Sequence, residues 1–420
     1  MMKYDDDKIE YISQDEIKDL QLSLFNQQLQ RANCTQAYRG KLPNKINSFS
    51  DIKNIPFTTK EDLRQNFPYG FLAVSKEKIA RFNASSGTTG IPTLIFFTQQ
   101  DIDYITKRGI RHLNMAELTS DNIVQSMLGS GLFVGGWYHN LAAFGRGITI
   151  LPTGTGNTKR QITLLKQLKA DCIFTTSGYL QYLLSQLTEK DLADINLKKA
   201  LVGAEPLSRS FCEIAQKKYG IEVYESYGMT EMGGPLSHEC SLHKGLHVAE
   251  DQVYIEIINP ETGENVPDGE YGELVITPLQ QEAMPFIRYR TRDITRIIPN
   301  LCPCGRTHRK IEPPSHRADD MIIVNGVNIF PSQIEECIYK HLPVSTNYLV
   351  HIIKNEGLKK VVVDIELTKN LLVDEGCLKK LEKDLTQTLK SYITVSPKLN
   401  FISQGTLPDI QGKVKRILME

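Results

Sequence analysis

Residues 83–93 read NASSGTTGIPT. Four hydroxyl side chains, Ser85, Ser86, Thr88 and Thr89, surround Gly87 and Gly90, and no lysine is among them. Glycine permits unusual backbone angles and close approach, and exposed amides and hydroxyls donate hydrogen bonds to oxyanions. The stretch therefore reads as a loop that holds phosphate, with a flexible serine–threonine turn as the plain alternative. It is not a Walker A loop, which needs Gly-Lys-Ser/Thr opening a helix. IARF before it and TLIFFT after it are rich in strand formers, so the loop is expected to join two strands. No G-x-S-x-G nucleophile elbow is present.

The chain is 420 residues long, enough for two or three domains. Lys plus Arg and Asp plus Glu both number 49, with no basic block, so the electrostatic footprint of a nucleic-acid binder is missing. The acidic start MMKYDDDKIEYIS has no signal-peptide pattern, and no run approaches the ~18 apolar residues of a membrane span. Eight cysteines in a chain of this length suit reduced thiols or metal ligands better than a disulfide scaffold, and the cytoplasm is the expected compartment.

Ser13 and Glu16 form a capping-box pattern ahead of Ile17, Leu20, Leu24 and Phe25, predicting an amphipathic helix over 14–32. From about 100 to 230, helical patterns such as RQITLLKQLKA alternate with strand candidates such as DCIFTTS, which predicts an α/β layer. QVYIEII and ELVIT, separated by turn residues, predict an antiparallel meander from 252. Beyond Pro313 and Pro314 the pattern becomes that of a small α+β domain, starting at about 318. Its expected elements are the strands MIIV and VVVDIEL, a helix at PSQIEE and a helix over 374–391.

Five further segments belong with the loop: GAEP (203–206), YESYGMTEMGGP (224–235), IRYRTRDIT (287–295), HRADDMIIVNGVNIFPSQIEE (316–336) and LPDIQGKVKR (407–416). In this order they resemble the adenylate-forming (acyl-CoA synthetase) superfamily, and within it the phenylacetate–CoA ligase family. The resemblance spans essentially the whole chain. It implies a large N-terminal α/β domain, 1–318, with the ATP and acyl pockets, and a small mobile α+β domain, 319–420. It also implies a two-step reaction: a carboxylate attacks the α-phosphate of ATP, giving acyl-AMP and pyrophosphate, and the thiol of coenzyme A then takes the acyl group.

Each role below is what the resemblance implies. The loop Ser85–Gly90 holds the β- and γ-phosphates. Thr230 contacts the α-phosphate, and Glu231 holds Mg²⁺, which prefers hard oxygen ligands. Tyr227, with Gly228 and Met229, packs beside adenine; Gly203, Ala204 and Glu205 wall the nucleotide pocket; Asp293 takes the ribose hydroxyls, with Arg317 near them. Lys413 bridges carboxylate and α-phosphate during adenylation, and Asp319 is the hinge about which the small domain rotates. Phe133, Trp137, Tyr138 and Tyr179 are candidates to line an apolar acyl pocket, with ordinary core packing as the alternative for each. Dimers are common among relatives of this type, so a homodimer is expected.

Several positions depart from the family pattern. Ile91 stands where a lysine usually precedes the loop's proline, and Thr93 where other ligases carry one after it. His316 and Asn325 replace a glycine and an arginine around the hinge. These changes keep two other readings open: transfer to a carrier-protein thiol, and a catalytically weak nucleotide-binding homologue. Finally, ECSLHKGLH and LCPCG offer Cys240, His247, Cys302 and Cys304 as a closed structural zinc site, with His238, His243 and His308 in reserve. Some relatives carry such a Cys-His plus CPC arrangement. Reduced cysteines with surface histidines are the alternative.

Overall fold

The structure is a computed structural model describing residues 8–84, 93–314, 316–317, 322–324, 327–329, 331–342, 346–355, 358–368, 371–372, 375–393, 397–407 and 417–419. The phosphate loop, Asp319, Asn325 and Lys413 lie outside the described residues.

The first helix, α1 (Gln14–Asn33), begins where the capping box places it: Ser13 Oγ accepts from Glu16 N, and the Glu16 carboxylate accepts from Ser13 N at 3.0 Å. The strands flanking the loop are β1 (Ile79–Ala84) and β2 (Leu94–Thr98), paired antiparallel. Helix α2 (Gln99–Met115) follows directly. Then come β3 (Ile123–Ser126), α3 (Val134–Arg146), β4 (Thr149–Pro152), α4 (Thr158–Leu168) and β5 (Cys172–Thr176). Strand β3 pairs in parallel with both β4 and β5, as strands joined by helical crossovers do.

Strands β6 (Lys199–Gly203), β7 (Glu222–Met229), β8 (Gly234–Glu239) and β9 (Leu246–Val248) extend the same sheet. With β13 (Ile297–Ile298) and β14 (Lys310–Ile311), nine strands run in the order β13-β14-β9-β8-β7-β6-β5-β3-β4. The expected meander is a separate antiparallel sheet of β10 (Val253–Ile258), β11 (Gly272–Pro278) and β12 (Tyr289–Thr295). Phe25, Phe97, Tyr138 and Phe286 are wholly buried in the largest core cluster. Two guanidinium–carboxylate pairs are buried as well, Arg111–Asp251 at 2.9 Å and Arg288–Glu256 at 2.8 Å.

By contact the chain divides into two units. One comprises 1–175, 195–204 and 224–314; the other comprises 176–194, 205–223 and 315–420. The second unit holds α5 (Ser177–Ser185), α6 (Arg209–Tyr219), the hairpin β15 (Ile322–Val324) and β16 (Val327–Ile329), α7 (Pro331–His341) and α8 (Glu375–Ile393). Its four-stranded sheet is built from β17 (Tyr348–Asn355), β18 (Leu358–Leu367), β19 (Lys398–Ser403) and β20 (Ile417–Met419), in the order β19-β18-β17-β20. Helix α8 packs on α7, and Ser208 Oγ, just before α6, donates to Glu336 of α7 at 2.9 Å. Among the described residues, no helix is long and apolar enough to cross a membrane.

Three of the buried histidines of the first unit lie together. His112 of α2 stacks on His238 of β8 at 4.0 Å, and His139 of α3 stands edge-on to His112 at 5.7 Å. Tyr138 Oη lies 3.2 Å from His238 Nε2, and His139 Nδ1 donates to the Gly135 carbonyl at 2.8 Å. Burial lowers His139 to about 4 and His112 well below the usual imidazole value. An unfolded imidazole titrates near 6.5. Below that pH the unfolded chain therefore binds protons the folded chain refuses, and stability present above about 6.5 is lost as pH falls towards 4. His139 accounts for on the order of 3 kcal/mol over this range, taking about 1.4 kcal/mol per pKa unit. Urea midpoints from pH 7.5 to 4.5 should show the decline, and His139→Asn should flatten it; an unchanged slope in the variant would exclude a neutral buried imidazole.

Candidate active site

The C-terminal ends of neighbouring parallel strands are where α/β sheets place ligand sites. Strand β6 ends at Gly203 and its sheet neighbour β7 ends at Met229, so the GAEP and YGMTE segments emerge side by side. Ala204 follows with φ +70°, a strained left-handed conformation for alanine. Glu205 belongs to the second unit, where its carboxylate accepts from Gly178 N at 2.9 Å, at the start of α5. Gly228 is required sterically: a β-carbon there would stand 2.2 Å from Pro235 Cα, because the chain doubles back on itself after the motif.

Thr230–Met232 form one 3-10 turn between β7 and β8. Glu231 on this turn is 5% exposed, and an ionised carboxylate so placed needs partners. Its Oε1 accepts from Tyr289 Oη of β12 at 2.9 Å. Tyr227, four residues before Glu231, donates from its Oη to Asp293 Oδ2 at 2.5 Å, and Asp293 lies four residues beyond Tyr289 on the same strand. Two phenol–carboxylate hydrogen bonds thus run in opposite directions between the 227–231 segment and β12. Between the two residues β12 is irregular: its register against β11 shifts, and Arg292 has φ +67°. A strand broken in this way gives no regular alternation in IRYRTRDIT from which Tyr289 could be singled out.

Electrostatics around Asp293 depend on a second residue the sequence did not reveal. Glu273 of β11 is wholly buried; it pairs with Arg290 at 2.5 Å and Arg292 at 3.6 Å, and it accepts from Arg292 N at 3.1 Å. The cations flanking Asp293 in sequence are therefore engaged by Glu273 on β11.

The phosphate-loop positions fall outside the described residues, but the strand entering them is anchored. Ala84 N and Asn83 Nδ2 both donate to the Leu132 carbonyl, at 3.1 and 2.9 Å, and Arg81 Nη2 donates to the Gly131 carbonyl at 2.9 Å. The segment so held leads into α3, with Phe133 exposed at its N-cap. Trp137 is half-buried, 5.8 Å from the Phe97 ring, with the Arg81 guanidinium 4.6 Å above it. Tyr138 is instead a core residue, wholly buried with its Oη against His238. Tyr179 sits on α5 in the second unit beside Tyr182, and Arg317 is half-buried there.

The cysteine–histidine set does assemble. Ligand atoms of Cys240, His247, Cys302 and Cys304 all lie within 4.8 Å of one another. Cys240 Sγ and Cys302 Sγ are 3.8 Å apart; Cys304 Sγ and His247 Nε2 are 3.5 Å apart. Tetrahedral zinc, with bonds of about 2.3 Å to sulfur and 2.0–2.1 Å to nitrogen, puts two sulfurs about 3.8 Å apart and sulfur and nitrogen about 3.5 Å apart. The donor set therefore fits that ion. Burial pushes the Cys240 thiol up to about 12, and a coordinating dication deprotonates such a thiol outright. The reserve histidines are engaged elsewhere: His243 meets Glu239 at 3.1 Å, and His308 contacts the Val248 and Ile9 carbonyls.

Two outcomes follow from this geometry. Tyr227→Phe removes the donor to Asp293 and should raise KM for ATP about tenfold, equivalent to about 1.4 kcal/mol, while kcat changes less; steady-state kinetics over ATP concentration checks this. Elemental analysis of untagged protein should find zinc near one equivalent, and Cys302→Ser should lose it and melt several degrees lower. A ratio near zero in the parent rejects the metal.

Comparison with known proteins places these features. Residues 9–280 match the AMP-binding enzyme family, and residues 326–420 match the AMP-binding enzyme C-terminal domain. The chain is similar to the phenylacetate-coenzyme A ligase of Aromatoleum evansii, 37% identical over 98% of this chain and 96% of that protein. It is also similar to the phenylacetate-coenzyme A ligase of Escherichia coli (strain K12), 35% identical over 98% and 96%. In fold it matches a crystal structure of 2-hydroxyisobutyryl-CoA ligase in complex with 2-HIB-AMP, with a TM-score of 0.91, 21% identity, and coverage of 100% of this chain and 95% of that one. A chain that carries both family domains and aligns with these ligases almost end to end belongs to the AMP-binding enzymes and, among them, to the phenylacetate–CoA ligase family.

Proposed function

We propose that this protein is an AMP-forming acid–thiol ligase that activates an aryl or arylalkyl carboxylate of the phenylacetate type and transfers it to coenzyme A. The observation that carries the reading is the near full-length identity of 35–37% to phenylacetate-coenzyme A ligases. The Tyr227–Asp293 and Tyr289–Glu231 hydrogen bonds support it at the site.

In the first step a carboxylate oxygen bonds to the α-phosphorus of ATP and pyrophosphate leaves. In the second, a thiol sulfur bonds to the acyl carbon and AMP leaves. Tyr227 positions Asp293 by its hydrogen bond. A carboxylate offers several acceptor positions, so Asp293 can serve a ribose hydroxyl while holding the phenol. Tyr289 likewise orients Glu231, the residue that would hold Mg²⁺. That ion, when bound, offsets charge on the phosphates. Trp137 and Phe133 are the acyl-pocket residues the burial pattern favours. Lys413 and Asp319 keep the roles of mobile cation and hinge, in a C-terminal domain of 319–420 that closes for one half-reaction and reopens for the other. The zinc cluster is structural, and the compartment is the cytoplasm.

The test is carboxylate-dependent pyrophosphate exchange over a panel of acids, followed by acyl transfer. Exchange should be strongest with arylalkyl acids and should be followed by thioester formation with coenzyme A. Lys413→Ala should depress exchange at least about 100-fold and spare transfer from preformed acyl-AMP. No exchange with any acid refutes the ligase; exchange without transfer to coenzyme A points to a carrier-protein thiol.

A further inference from the structure

The turn carrying Thr230 and Glu231 runs directly into Gly233 and Gly234, with φ of +68° and +130°. A β-carbon on Gly233 would stand 2.3 Å from Ile105 Cδ1 of α2, and one on Gly234 2.5 Å from the Tyr138 ring of α3. The backbone is pressed against both helices, and residues 231–240 are all buried. Buried carbonyls in such a turn must find donors. Two of them find the same side chain. Arg108 of α2, 3% exposed, donates from Nη2 to the Met232 carbonyl at 2.5 Å and from Nε to the Pro235 carbonyl at 2.7 Å. Its Nη1 donates to Gln252 Oε1 at 2.8 Å.

These acceptors are all neutral. The neighbouring buried carboxylate, Asp251, is taken by Arg111. Burying a cation against neutral acceptors is a poor source of stability. What the planar, forked guanidinium supplies is geometry: it sets the spacing of two carbonyls on either side of the glycine pair, which the single ammonium of a lysine cannot do.

We propose that Arg108 is a positioning residue for adenylation. By holding the Met232 and Pro235 carbonyls it fixes the one-turn helix before them, and with it the directions of the Glu231 carboxylate and the Thr230 hydroxyl. Tyr289 fixes Glu231 from the other sheet; Arg108 fixes the backbone beneath it. The inference rests on the roles given above to Thr230 and Glu231.

The two half-reactions separate positioning from general damage. Acid-dependent pyrophosphate exchange needs Thr230 and Glu231, whereas transfer from preformed acyl-AMP to coenzyme A involves no metal-bound triphosphate. In the full chain, Arg108→Gln should lower kcat for exchange about 10–100-fold, the usual effect of losing an outer-shell support, and raise the Mg²⁺ concentration at half-maximal rate. Transfer from acyl-AMP should stay within about threefold of the parent, which fewer than 0.7 kcal/mol would explain at about 1.4 kcal/mol per tenfold. Arg108→Lys keeps the charge but not the fork, so it should lose exchange nearly as far as Arg108→Gln; full recovery by lysine overturns the proposal. Independently of turnover, AMP should raise the melting temperature of Arg108→Gln as it does the parent's, while the further rise with ATP and Mg²⁺ should shrink. Equal loss in both half-reactions with an unchanged Mg²⁺ dependence overturns the proposal, as does unaltered exchange. Should Arg108→Gln not fold, Gln252→Leu keeps the guanidinium and removes one acceptor; it should shift the Mg²⁺ dependence in the same direction, and no shift overturns the proposal. A parent that exchanges pyrophosphate with no acid refutes the proposed function instead, and the ATP–Mg²⁺ melting shift then decides the case of Arg108.

Discussion

Two phenol–carboxylate hydrogen bonds, crossed between one chain segment and one strand, are the constraint around which the site is organised. Tyr227 reaches Asp293, and Tyr289 reaches back to Glu231. Each carboxylate is thereby held by a group from the opposite side, and each tyrosine is held by the carboxylate it serves. The 227–231 segment leaves the nine-stranded sheet while β12 belongs to the meander sheet, so the lacing joins two sheets that share no strand. The Tyr289–Glu231 bond is buried and the Tyr227–Asp293 bond part-buried, so loss of the first carries the larger desolvation cost.

Charge placement follows from this seam. Four charged groups lie along β12 and its neighbour: Arg290, Arg292, Asp293 and Glu273. The wholly buried Glu273 engages both arginines across the strand pair. A surface pairing of Asp293 with Arg292 is the natural reading of adjacent letters in a sequence. In the structure the buried Glu273 takes Arg292, by side chain and by backbone N–H, at a point where β12 loses its register and Arg292 has φ +67°.

Much of the architecture was legible in residue patterns. The capping box at Ser13, the strands around the glycine-rich loop and the 252–277 meander all form where composition places them. The cysteine–histidine cluster was legible by residue type, although Cys240 and Cys302 stand 62 positions apart and come together where β9 and β14 fold beside each other. Pairings across sheets were not legible. Tyr289, Glu273 and Arg108 act through partners distant in sequence, and no local periodicity announces such contacts. Tyr138 shows the other failure. It follows Trp137 in an aromatic run, yet successive helical residues point about 100° apart, so one stays half-exposed while the other enters the core beside His238.

The start of the chain is held by a stretch almost three hundred residues away. Thr307 donates to the Ile12 carbonyl, Arg306 pairs with Glu10 at 2.7 Å, and His308 contacts the Ile9 carbonyl, all from the loop that carries Cys302 and Cys304. A chain cut short before residue 306 would therefore lack the partners of Ile9, Glu10 and Ile12. Helix α1 itself keeps its cover, because Phe25 packs edge-on against Phe49 and Tyr254, both earlier in the chain than that loop; the far loop acts as a strap over residues 9–12 and leaves the helix face to the core.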